Sequence, residues 1–280
     1  MSRVFARRTA AIATMHGKER VIAPILEQAF GIQSILPQNF NTDAFGTFTR
    51  EIQRMGTQIA AARRKAEAVL ELTGETLSIA SEGSFAPHPA FPAIACNREI
   101  LLLLDRANDL EIIGEAFSTD TNFSHQSIRS WQEAEKFAQQ VGFPSHGLVA
   151  IGSDRKIAKG ITTLEVLREV VEQSLHDFPN EPLHLETDMR ALYNPTRMLN
   201  IEKATRNLIE KMQSLCPQCD APGYAIAEYK AGLRCRICGI PTKLTRAAIY
   251  RCQHCNFSQE LLFPDGLKTA DPQYCSFCNP

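Results

Sequence analysis

The sequence predicts a mixed α/β fold, a sheet flanked by helices, followed by a separate cysteine-rich metal domain. Three observations carry this. Between residue 9 and about residue 178, short apolar runs alternate with amphipathic stretches of helical period, the signature of strands interleaved with helices that cover a sheet. EILLLLDR and LEIIGEAFS are joined across ANDL, which predicts a hairpin and therefore a mixed sheet. Eight of the nine cysteines fall in the last 65 residues as four CxxC pairs, a metal pattern in a chain without a secretory signal.

The elements follow in order. TAAIAT (9–14) reads as a strand, and KERVIAPILEQAFG (18–31) as a helix stopped by Gly31. IQSILPQ (32–38) is a second strand. FGTFTREIQRMGTQIAAARRKAEAVLEL (45–72) carries Ile52, Met55, Ile59 and Ala62 at helical spacing and predicts one long amphipathic helix. TLSIASEGSF (76–85) is a strand that enters a loop of small residues. After the hairpin, RSWQEAEKFAQQVG (129–142) is a helix and GLVAIGS (147–153) a strand. TTLEVLREVVEQSL (162–175) is a helix with Thr162 or Thr163 as its cap. DFPNEP (177–182) reads as a break, and residues 185–215 as a helical connector that Pro195 interrupts or restarts. The expected organisation is an α/β domain over 1–180, a connector over 181–215 and a zinc-ribbon domain over 216–280.

Bulk properties exclude several classes. The 280 residues suffice for one large domain and a small one. A net charge of −1 gives no basic excess for nucleic acid. No apolar run approaches the ~20 residues of a membrane helix. The arginine-bearing start MSRVFARRTAAIATMHG has too short an apolar part for a targeting leader. A cytoplasmic protein with no membrane partner is expected. The composition leaves oligomeric state open.

The pairs are Cys216/Cys219, Cys235/Cys238, Cys252/Cys255 and Cys275/Cys278. Fifteen residues separate the first two pairs and nineteen the last two, which suits two ribbons that each hold a structural Zn²⁺ on four thiolates. Sequential pairing, first with second and third with fourth, is the expected arrangement, and an interleaved one is the alternative. Disulfides or an iron–sulfur cluster are the competing chemistries. Metal binding would supply folding free energy that so small a segment lacks. His254 reads as a spectator and Cys96 as a small buried hydrophobe. Lys230, Arg234, Arg236, Lys243, Arg246 and Arg251 are scattered, so a nucleic-acid partner is only weakly indicated and a structural or protein-contact module is expected.

The chemistry is expected where the first strand meets its helix. His16, Gly17 and Lys18 stand there. A helix N-terminus presents free N–H groups and a positive dipole end, glycine lets backbone approach, and lysine adds charge, which together suit an anion. A tight turn with a solvated lysine is the alternative. NTDAFGTFTRE contributes Asp43, Thr47, Thr49 and Glu51, and SIASEGSF contributes Ser81, Glu82, Gly83 and Ser84. Carboxylates beside a phosphate site would suit Mg²⁺ or Mn²⁺; helix-start carboxylates favoured by the dipole are the alternative. His16 and His88 are candidates for proton transfer or ligation, or are loop residues. Asp188, Arg190, Asn194 and Arg197 in DMRALYNPTRM form either a salt-bridged connector or a segment that folds over the cleft to supply arginines.

The order strand–Ala-Thr–lysine–helix, then a Gly-Thr-rich helix start, then strand–acid–Gly resembles the inosine/xanthosine triphosphatase family over residues 10–178. IASEG echoes the family's AxxEAG, and GLVAIGSDRKIAKGITTLEVLREVVEQSL echoes its late glycine- and threonine-rich segment. The resemblance implies a two-lobed α/β domain with a cleft, a divalent metal, and attack of water on the phosphoanhydride of a nucleoside triphosphate. Carried over, Thr14 and Lys18 would hold phosphate, Glu51 and Glu82 the metal, and Arg50 or Arg54 phosphate. His16 and Gly17 depart from the family's first loop, and SEGSFAPHPAFP has no counterpart there. The whole chain also resembles a group of uncharacterised bacterial proteins that share HGKE, SEGSF-x-PHP, the NPTRM segment and the terminal cysteine pairs. A module that binds a nucleotide or another anion without turnover, while the ribbons contact a partner, is the second reading.

Overall fold

The computed structural model describes residues 4–38, 40–45 and 56–280, so Arg50, Glu51 and Arg54, with Thr47 and Thr49, lie outside the described residues. β1 (Thr9–Ala13) runs through the Thr14–Lys18 loop into α1 (Glu19–Phe30), which ends where Gly31 takes a left-handed φ of 67°. β2 (Gln33–Ile35) follows. α2 (Gln58–Thr73) starts where Gly56 has a φ of 82° and Thr57 Oγ1 accepts the Ala60 N–H. The single helix expected over 45–72 is therefore corrected: a left-handed glycine and a threonine cap make Gln58 a helix start, and the apolar spacing of Ile52 and Met55 ran across that signal.

β3 (Leu77–Pro87), β4 (Ala95–Asp105) and β5 (Leu110–Ser118) complete a five-stranded sheet of order β2-β1-β3-β4-β5. β1 is parallel to both neighbours, and β3 is antiparallel to β4. Here the SEG triplet departs from expectation. It lies inside an eleven-residue strand, with Glu82 opposite Ile100 and Gly83 opposite Glu99, not in a loop. The connections β1-α1-β2 and β2-α2-β3 step along the sheet in opposite directions. Right-handed crossovers then place α1 and α2 on opposite faces and make the carboxyl end of β1 a switch point, the usual place for a ligand crevice. α2 lies close on its face because small side chains meet there: Ala62 and Ala66 pack on Ala11, Ala13 and Ala80.

A second sheet of order β6-β9-β7-β8 comprises β6 (His125–Ile128), β7 (Leu148–Ile151), β8 (Ile157–Ile161) and β9 (Leu183–Thr187), paired antiparallel where registers are defined. α3 (Trp131–Gln140) and α4 (Leu164–Asp177) are capped by Ser130 and Thr163 and bury Phe137, Leu167 and Val171 against Leu148, Leu183 and Leu185. The expected connector over 181–215 is corrected by β9, which lies between β6 and β7, and by α5 (Pro195–Gln213), which Pro195 starts at its first helical position. Short strands such as HQSI and LHLET carry too little periodicity to stand out in sequence. Downstream, β10 (Ala225–Ala231), β11 (Thr245–Arg251) and β12 (Ser258–Leu262) form an antiparallel sheet.

The chain divides into two units: Phe5–Asp109 with Ile113–Ile209, and Leu110–Ile112 with Glu210–Pro280 among others. The expected boundaries at 180 and 215 thus give way to one near 210. Among the described residues no helix is long and apolar enough to cross a membrane.

Candidate functional site

Just past the last β1–β3 pair, Ala13 with Ala80, the strand pair β3–β4 carries buried charge on both faces. Side chains alternate along a strand, so Ser81 and Gly83, with Glu99 opposite, face one side and Glu82 the other. On the Glu82 side, Lys65 of α2 donates to Glu82 Oε2 at 2.5 Å. Gln58, in the first turn of α2, donates to the carbonyls of Glu82 and Arg98 at 2.7 and 2.8 Å.

On the other side, Arg197 Nε donates to Glu99 Oε1 at 2.7 Å, and both side chains are essentially inaccessible. The guanidinium also donates to the Met189 carbonyl. Asn194 Oδ1 accepts the Arg197 N–H at 2.9 Å, while Asn97 donates to Glu99 Oε1 at 3.0 Å. Gly83 is required: a Cβ there would overlap the Arg197 guanidinium and the Glu99 carboxylate. Beside this pair sits Lys18. It is only 6% exposed, and its Nζ donates to Ser81 Oγ at 2.8 Å. Burial first, and then the positive charges of Arg197 and Lys65, bring its pKa from 10.5 down to about 7 against the smaller opposing pull of Glu99 and Glu82.

The solvated-lysine reading of HGK is thereby corrected. The β1 strand ends, Gly17 adopts a φ of 72° that other residues rarely take, and Lys18 is turned inward. Thr14 is buried, and its Oγ1 accepts the His16 N–H at 3.4 Å, ordering this loop. His16 is half-buried in it.

The structure thus gathers Lys18 and Ser81 with Glu99 and Arg197, and turns Glu82 toward α2. His88 lies elsewhere. Six strand residues beyond Glu82, roughly 20 Å away, its Nδ1 accepts the N–H groups of Ala90 and Phe91 at 3.1 and 3.2 Å, and its ring packs on Phe91 and Phe117. It holds a hairpin turn. Arg190 and Arg197 also part company: Arg190 clasps Asp188 at 2.6 Å and covers Tyr193, whereas Arg197 is the buried one.

Sequence reasoning missed Lys65, Gln58, Asn97 and Glu99. Glu99 had a readable signal, since it is in phase with Leu101 and Leu103, both buried on a strand. Lys65 had none, because it sits in an Ala-Arg-rich helix that reads as solvated.

The cysteines form two centres, Cys216-Cys219-Cys252-Cys255 and Cys235-Cys238-Cys275-Cys278. Pairing is interleaved, correcting the expected sequential ribbons. The cause is strand register. Ala225 pairs with Arg251, which sets the start of β10, just after the first knuckle, beside the third. A bridge between Cys235 and Ala270 brings the second knuckle toward the fourth.

Sulfur separations of 3.5–3.9 Å link knuckle to knuckle in both centres. A disulfide needs ~2.05 Å, while four sulfurs ~2.3 Å from one tetrahedral ion stand ~3.8 Å apart. The residues therefore fit a four-thiolate ion such as zinc. The first centre is packed among Tyr224, Tyr250 and Phe257. The second exposes apolar knuckle tips, Ile237 at 72% and Phe277 at 70%. His254 belongs to neither ligand set.

Fold and sites define a mixed α/β protein with a buried ionic cluster and two four-cysteine metal centres. The chain belongs to the family described as Domain of unknown function (DUF6671), whose model matches residues 65–280. That span holds Lys65, Ser81, Glu82, Glu99, Arg197 and all eight paired cysteines, and begins downstream of Lys18. No curated protein matches the sequence.

Proposed function

We propose that the α/β unit binds the phosphate chain of a nucleoside triphosphate, or of a related phosphorylated small molecule, at the Lys18 face and hydrolyses its phosphoanhydride. Two Zn²⁺ ions hold the cysteine-rich unit together. The observation that carries this reading is Lys18 itself: a buried base at a strand–helix join that pairs with no carboxylate among the described residues, beside Arg197, at the carboxyl end of β1. An oxyanion is the ligand that such a site lacks. The likeness of the strand–lysine–helix and strand–acid–Gly order to inosine/xanthosine triphosphatases supports a nucleotide.

Lys18 would grip a phosphate oxygen, with the positive end of α1 and the nearby Arg197 charge, itself held by Glu99, adding a favourable field. Mg²⁺ or Mn²⁺ would arrive with the phosphates, because Lys65 and Arg197 already hold Glu82 and Glu99, the buried carboxylates nearest Lys18. Release of phosphate and pyrophosphate from a nucleotide panel that includes inosine and xanthosine triphosphates, with either metal, tests the activity. Lys18→Met is the control. It removes the cation and leaves both ion pairs intact, whereas Glu82→Gln would strand Lys65. Turnover lost in Lys18→Met is the expected result. No turnover by the metal-replete wild type would end the hydrolase reading. A specific observation favours a second reading, binding without turnover: among the described residues Glu82 and Glu99, the carboxylates nearest Lys18, are both held in ion pairs.

A further inference from the structure

Among the described residues, the charged side chains that weigh most on Lys18 come from four elements. β3 supplies Glu82 and the Ser81 hydroxyl, β4 supplies Glu99, α2 supplies Lys65 and α5 supplies Arg197. Glu82 is closed by Lys65 and Glu99 by Arg197. Lys18 is the remaining base, and its nearest polar partner is a neutral hydroxyl.

With a neutral amine the group sums to zero. A proton added alone puts a third cation onto a side chain only 6% exposed, beside Arg197. An anion added alone gains only a neutral amine and closed ion pairs. Added together, they cancel. From this we propose that the site binds its ligand as an oxyanion plus one proton, the proton going to Lys18 as phosphate or sulfate oxygens come within reach. This deepens the anion reading and rests on it. A Lys18 pKa of about 7 in the ligand-free protein agrees, since the amine then takes up its proton at little cost near neutrality.

Sulfate is the probe, because it keeps its charge between about pH 6 and pH 9 while phosphate titrates there. Sulfate affinity should be flat below about pH 7 and fall about tenfold per pH unit above it. Calorimetry near pH 8.5, in buffers of different ionisation enthalpy, should show uptake of close to one proton per sulfate. Lys18→Met should bind weakly and without pH dependence. The lone Trp131, in the α/β unit, reports that this variant is folded. Wild-type affinity that ignores pH, with no proton uptake, would overturn the proposal and leave the anion site standing. Sulfate binding that is the same in Lys18→Met would overturn it too, because the anion would then sit elsewhere. No sulfate binding at pH 6, where Lys18 is charged, would sink both this proposal and the anion reading.

Discussion

The two units bury charge in opposite senses. Each cysteine centre gathers four thiols with no cation of its own, so its charge is closed by a metal from outside. In the α/β unit, among the described residues, each buried carboxylate carries its own base and the buried Lys18 carries no ion pair, which is the ground for the proposed anion. The difference extends to what survives without the ligand. The α/β unit has apolar cores on two sheets. The cluster around the first cysteine centre buries only Cys216, Tyr224 and Cys252 fully. The expectation is that the α/β unit folds without its ligand while the knuckles of the cysteine-rich unit need their metal.

The largest effects come from the metal, whose binding to such sites is worth ~10–16 kcal/mol of folding free energy. Because the knuckles interleave, Cys216→Ser with Cys252→Ser should remove one ion per chain and keep the other. Cys216→Ser with Cys235→Ser should remove both. Metal content by elemental analysis distinguishes them, and sequential ribbons would give the reverse. Acid should expel the metal, since thiols must lose protons to bind it. In the second centre Cys235 is held down to about 7 by the N–H groups of Cys238 and Ile237, while Cys278 is pushed up to about 12, chiefly by the Cys238 thiol. Four such thiols do not ionise together near neutrality unless an ion draws them.

Next comes the closed pair. Arg197→Met leaves the inaccessible Glu99 unpaired and should cost ~3–5 kcal/mol, read as a urea midpoint shift in Trp131 fluorescence. Removing both charges, as Arg197→Met with Glu99→Leu, should recover much of that loss, because a buried pair replaced by apolar groups is often neutral. If the single change cost no more than a surface pair, the claim that this unit closes its own carboxylates would fail.

How much of this was legible follows from range. β1, α1, α3, α4 and the β4–β5 hairpin were readable because their signals are local: Gly31 as a stop, Ser130 and Thr163 as caps, ILLLL as a buried strand. Lys18, Ser81 and Glu82 were singled out for their place near strand ends. That Glu82 faces away from Lys18 follows from β3 continuing to Pro87, which the small residues of SEGSF concealed. The Glu99–Arg197 pair spans 98 residues, and the knuckle pairing depends on β10–β11 register. Neither leaves a local trace.

The smallest effect is the one that separates the two regions most finely. A lysine titrates near 10.5 when unfolded, and Lys18 does so at about 7 when folded. Between those values the folded chain holds a neutral amine and the unfolded chain an ammonium, so the unfolded state binds more protons and stability rises with pH. Below about 7 both states are protonated, and the folded one keeps a buried ammonium beside Arg197. The stability of wild type relative to Lys18→Met should therefore climb by about 1.4 kcal/mol per pH unit above 7 and level off below it. Saturating sulfate should move the start of that climb to higher pH, because the anion keeps Lys18 charged in the folded state. The cysteine centres behave in the reverse way, their stability lost as pH falls and thiols reclaim their protons. Should the Lys18→Met difference stay level from pH 6 to 10, Lys18 would carry its proton with no anion present. The α/β unit would then tolerate an unclosed charge that the cysteine unit cannot, and the difference between the regions would lie in their apolar cores alone.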